Sequence, residues 1–108
     1  MNIEFLPEAR EEFYDAAGFY EGREIGLGIR FRAEISEVCA TIQAHPLLWR
    51  ERDGGFRRVN CPVFPYYIAY FIRGRTVVVA AVAHGSRRPG YRVDRLSSKV
   101  SERGGIDG

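Results

Sequence analysis

The chain has 108 residues, of which 45% are hydrophobic and 28% charged, and its formal net charge is +2. That length supports one small core rather than two, and the balance is that of an ordinary globular domain. No apolar stretch approaches the roughly 20 residues of a membrane span, and Met1-Asn2-Ile3-Glu4 lacks the basic and long apolar regions of a signal peptide. A cytoplasmic location with no membrane partner is therefore expected. Cys39 and Cys61 show neither C-x-x-C nor metal-ligand spacing and read as reduced thiols, Cys39 as core filler. His45 and His84 have no nearby Cys, Asp or Glu at ligand spacing, so no metal and no cofactor is expected.

In chain order, Asn2 to Phe5 is a short strand candidate, with Ile3 and Phe5 alternating with polar neighbours. Leu6-Pro7-Glu8 then opens a helix. Pro7 suits the first helical position, and Glu8, Glu11 and Glu12 favour the positive helix end. Ala9, Phe13, Ala16, Ala17 and Tyr20 fall on one helical face, with Tyr14 and Phe19 off it, as if the helix used two faces. Gly22 to Gly28 loosens the chain. A second helix is predicted from about Gly26 to His45, with Leu27, Phe31, Ile35, Val38 and Ile42 on one side. Pro46 stops it, because the residue before a proline is pushed out of helical geometry. His45 then reads as a partner of the helix C-terminus and Trp49 as a lid over the core edge.

Three strands are predicted next: Phe56 to Asn60, Tyr66 to Arg73 and Thr76 to Ala83. Cys61-Pro62-Val63-Phe64-Pro65 separates the first two, and Arg73-Gly74-Arg75 turns a tight hairpin between the last two. Along the middle strand Ile68, Tyr70 and Ile72 share one face, and Tyr67, Ala69 and Phe71 the other. Residues 88–99 are expected to form a final turn or short helix. The domain is expected to span residues 1–99, with 100–108 a frayed tail. The order is β-α-α-β-β-β, an α+β fold with two helices packed on one face of a small antiparallel sheet.

The charge is unevenly placed. Residues 1–49 carry four arginines against nine acidic residues, a net −5, whereas residues 50–108 carry twelve Lys/Arg against five acidic residues, a net +7. Such a dipolar surface steers a polyanion or an acidic partner to one side. Six arginines, Arg57, Arg58, Arg87, Arg88, Arg92 and Arg95, fall on elements that could converge. The valine-rich last strand leads straight into His84-Gly85-Ser86-Arg87-Arg88-Pro89-Gly90-Tyr91-Arg92. An imidazole, a phenol and three guanidiniums behind a buried strand suit contact with an anion, phosphate above all. His84 reads equally as an acid–base group or as a structural histidine bonded to a carbonyl, and Tyr91 as a phosphate contact or an anchor.

Taken together, Phe5-Leu6-Pro7-Glu8-Ala9, Gly26-Leu27-Gly28 with Phe31, Phe64-Pro65-Tyr66 with Ile68 and Tyr70, and His84 with Arg87 and Pro89-Gly90-Tyr91 resemble the RelE/ParE family of bacterial type II toxins. The resemblance runs colinearly from Ile3 to about Arg95. It implies the fold above and a growth-inhibiting toxin neutralised by a cognate antitoxin. It further implies one of two targets: messenger RNA on the ribosome, cut without metal, or DNA gyrase. Cleavage requires a base, an acid and cations around the phosphate. By resemblance Arg58 and Tyr91 match two of the nuclease positions, and His84 is added as a candidate catalytic group. The arginine that RNase-like relatives carry at the start of the middle strand is Tyr67 here, and Gly85-Ser86 displaces the one expected after the last strand. These departures favour the ParE-like branch and gyrase, with Arg87, Arg88, Tyr91 and Arg92 as the target-binding set. A metal-independent endoribonuclease and a non-toxic module that binds antitoxin or nucleic acid are the alternatives.

Overall fold

The structure is a computed structural model in which residues 1–85 are described. Strand β1 (Asn2–Phe5) leads into helix α1 (Pro7–Arg23), which is followed by α2 (Leu27–Ala44), β2 (Arg57–Asn60), β3 (Tyr66–Arg73) and β4 (Thr76–His84). Pro7 begins α1, as its fixed φ and missing N–H favour. His45 closes α2, its N–H bonded to the Thr41 carbonyl at 2.9 Å ahead of Pro46. The predicted first strand of the sheet half is one residue shorter, because Phe56 makes only a bridge to Arg52. The expected residues 88–99 and the boundary at residue 99 lie outside the described residues.

The four strands lie in the order β1-β4-β3-β2. β2, β3 and β4 form an antiparallel meander, but β1 pairs parallel with β4, Asn2 opposite Thr76 and Phe5 opposite Val79. The sheet is thus mixed rather than wholly antiparallel. The pairing is non-local: a parallel neighbour requires a long crossover, and here two helices and a meander intervene.

Both helices cover one face. There Phe31, Ile35 and Ile42 of α2 and Ala9, Ala16 and Ala17 of α1 pack on Val59, Ile68, Tyr70, Val77, Val79 and Val82, with Phe13 and Tyr20 half-buried against them. The rings interlock at the centre: Phe31 meets Phe64 edge-on at 5.2 Å and Tyr66 at 5.1 Å. Tyr14 and Phe19, off the buried stripe of α1, are exposed. Gly28 sits where the two helices touch, and a Cβ there would come within 2.5 Å of the Ala17 carbonyl oxygen. No larger residue fits that crossing without parting the helices.

One irregularity decides which way the end of β4 faces. Ala69 lies opposite Ala81 but Tyr70 lies opposite Val79, so the register skips Ala80. Ala80 and Ala81 consequently share the face away from the helices, while Val82 returns to the helix face. Bulges re-aim side chains in this manner. His84, two residues on, is turned toward α1.

Candidate functional site

Of the predicted site residues, Arg58 and His84 are described, and Arg87, Arg88, Tyr91, Arg92 and Arg95 lie outside the described residues. Arg58 and His84 are not brought together. Strand pleating puts Arg57 and Val59 on the helix face and Arg58 on the opposite one. The Arg58 guanidinium lies 3.9 Å from the centre of the Tyr67 ring, a cation–π contact, and its Nε donates to Asn60 Oδ1 at 3.1 Å. His84 instead stands edge-on to Tyr66, 5.3 Å between ring centres. The two share a groove of about 230 Å³ with Glu12, Asp15 and Phe19 of α1.

The predicted convergence of arginines also fails at Arg57. Its guanidinium donates to the Trp49 carbonyl and lies 3.9 Å from Glu51, tying the 45–56 loop to the sheet. Nearby, the Tyr70 hydroxyl donates to the Pro46 carbonyl at 2.6 Å. Burial raises the Tyr70 hydroxyl above its ordinary pKa, with Arg57 opposing. Arg57 is a fastening of the fold.

Three carboxylates carry structural work that residue spacing alone concealed. Glu12 Oε1 accepts the Val82 N–H at 3.1 Å, just past the bulge and beyond the reach of β1. Glu21 accepts the N–H groups of Gly26 and Gly28, at 2.9 Å and 3.0 Å, and so caps α2 from the preceding helix. The cap is needed because Gly26, at φ 91°, has no side chain to supply one. Glu34 Oε2 accepts from Val63 and Phe64, at 3.1 Å and 2.8 Å, holding the Phe64-Pro65 turn against α2. The signal in the sequence was the acidity of the helical half, but a carboxylate that solvates itself and one that grips a distant backbone look alike there.

Two further surfaces are open. Ile3, Phe5, Arg10, Phe13 and Tyr14 line a groove of about 460 Å³ beside β1, the edge strand among the described residues. Tyr14, Gly18, Ile29 and Arg32 line one of about 270 Å³ along the helix pair. Tyr14 belongs to both, which makes the surface continuous from sheet edge to helix hairpin.

The family model described as the ParE toxin of the type II toxin–antitoxin system parDE matches residues 3–89. The chain belongs to the ParE toxin family. It is accordingly a toxin of the type II class, and membership implies an antitoxin partner. Among solved structures, the chromosomal ParDE toxin–antitoxin system from P. aeruginosa matches with a TM-score of 0.68 at 15% identity, over 78% of this chain and 95% of that one. At that identity the likeness speaks for the fold. No curated protein matches the chain. Among the described residues of this ParE toxin, no helix is long and apolar enough to cross a membrane.

Proposed function

We propose that this ParE toxin arrests growth by binding DNA gyrase in the cytoplasm, and that its antitoxin silences it by lying across the helix pair and the β1 edge. The separation of Arg58 from His84 carries the first half. Acid–base cleavage of RNA needs its groups within hydrogen-bond reach of one phosphate, and these two side chains leave opposite faces of the sheet. Tyr67, where RNase-like relatives carry an arginine, stacks against Arg58 and brings no charge of its own. Binding without cutting needs only fixed charge on an accessible surface. The basic half of the chain supplies it, with Arg87, Arg88, Tyr91 and Arg92 as the target-facing set.

The continuous surface through Tyr14 supports the second half. A free strand edge accepts an added strand and a helix groove accepts an apolar helix face, so one extended antitoxin segment engages both. Glu11 and Asp15 are exposed and offer charge to basic antitoxin side chains. Glu21 is instead engaged with the α2 N-terminus.

The deciding experiment incubates the purified toxin with gyrase and relaxed plasmid, and in parallel with translating ribosomes. Loss of supercoiling with intact messenger is the expected result. The double substitution Arg87→Ala, Arg88→Ala should remove that inhibition while antitoxin binding persists. Messenger fragments without any effect on supercoiling would replace gyrase by the ribosome, and inactivity in both assays would leave an antitoxin-binding module.

A further inference from the structure

The loop between α2 and β2 turns one large apolar side chain inward and holds two outward. Trp49 is half-buried and packs against the core, whereas Leu47 is 69% and Leu48 67% exposed. A single exposed leucine is ordinary, but a neighbouring pair on a pinned loop is not. The pinning comes from inside the fold. Tyr70, fully buried, donates its hydroxyl to the Pro46 carbonyl before the pair, and Arg57 donates to the Trp49 carbonyl after it. The Leu48 N–H bonds to the His45 carbonyl at 3.1 Å, and farther along Arg52 and Phe56 close the loop by a bridge. The backbone under the two leucines is thus fixed before any partner arrives, which lowers the entropy lost on binding.

We infer that Leu47 and Leu48 anchor the toxin in an apolar pocket of its protein target, which on the reading above is gyrase. The charges beside the pair favour protein over nucleic acid. Arg50, Glu51, Arg52 and Asp53 are all exposed, and their alternating signs cancel. Phosphate contact needs a cationic surface. An apolar centre ringed by mixed polar groups is instead the make-up of a protein–protein contact. Location separates the pair from the proposed antitoxin surface, which runs from β1 over the helix pair. The loop is fastened by β3 and β2, and β2 lies at the other end of the strand order from β1. A second copy is a poor occupant too. Tip against tip, two leucines fall far short of the about 800 Å² that each member of a stable complex covers. A pocket on a larger partner can enclose them fully, as it does the central anchors of an interface.

The test compares the parent chain with the double variant Leu47→Ser, Leu48→Ser. Both positions are exposed, so the midpoint of urea unfolding should not move. Inhibition of supercoiling should need at least about tenfold more of the variant, and growth arrest on induction should weaken with it. Antitoxin affinity should be unchanged. Leu47→Met, Leu48→Met keeps the apolar bulk and should keep most of the potency. Full potency of the serine variant overturns the inference. So does an antitoxin affinity that falls in step, a lost affinity for plasmid DNA without gyrase, or a parent dimer that the variant splits, because each gives the leucines a different partner. Should the serine variant unfold, benzoylphenylalanine in place of Leu47 supplies the reading. Photocrosslinks in cells to a gyrase subunit support the anchor, and crosslinks only to antitoxin or to a second copy defeat it. Crosslinks to a ribosomal protein keep the anchor and remove gyrase as the target. A parent chain that arrests no growth and crosslinks to no target overturns both readings.

Discussion

The two faces of this four-stranded sheet are built on different rules. The helix face is filled by large interlocking rings, Phe31, Tyr20, Phe64 and Tyr66, whose shapes leave few alternative arrangements. The opposite face carries smaller side chains, with Ala69, Ala80, Ala81 and Ala83 between the rings of Tyr67 and Phe71 and Arg58 stacked on Tyr67. The first face has its partner in the α1–α2 hairpin, and the second is packed by neither of those helices. Stability should therefore concentrate on the helix side, and the other side should be the tunable one.

The strongest way to break this comparison is at Phe31, which is fully buried. Phe31→Ala should cost about 3–5 kcal/mol in urea unfolding. Phe13→Ala should cost clearly less, since Phe13 is only half-buried. Equal costs would mean that the ring cluster is not the centre of the core. Next in size, Glu12→Ala strips the Val82 N–H of its acceptor and should cost about 1–3 kcal/mol. Amide exchange at Val82 is the direct readout, and unchanged protection there would show that the clamp is dispensable.

On the second face, Arg58→Met keeps the stem but removes the cation over Tyr67, and should cost only about 0.5–1 kcal/mol. A loss as large as that of Phe31→Ala would erase the contrast between the faces. The smallest effect concerns pH. Burial pushes the Cys39 thiol from 9.0 up to about 11, so the folded chain keeps a proton that the unfolded chain gives up. Stability from this group is complete below pH 9.0 and is lost as the pH rises toward about 11. Melting temperature followed across that window should fall, and Cys39→Ala should flatten part of the fall. Tyr20 and Tyr70, both raised mainly by burial, accentuate the alkaline end.

The helices were legible because their signals are local. The stripes through Ala9, Ala16 and Ala17 and through Phe31, Ile35 and Ile42 repeat at helical spacing, and Pro7 and Pro46 punctuate them. Period-two alternation likewise separated Tyr67 and Phe71 from Ile68 and Tyr70. What stayed hidden depends on residues far apart in the chain. The parallel pairing of Asn2 with Thr76 leaves no mark in either segment. Neither does the skip at Ala80, since an alanine is compatible with both faces, and that skip turns His84 toward α1. Arg58 was legible as a basic strand residue, but its face, and hence its separation from His84, follows from where α1 and α2 settle.

The pairing of the first strand with the last sets the order in which the molecule can be finished during its own synthesis. The α1–α2 hairpin, with Glu21 reaching across its turn, is made of near neighbours and can form while the chain is still emerging. β1 has been made before it, but its partner residues Thr76–Val79 come more than seventy positions later. Until they emerge, β1 lacks its ladder and the sheet lacks an edge. A toxin built this way stays incomplete as a nascent chain, and acquires its final surface only when translation has passed the end of β4.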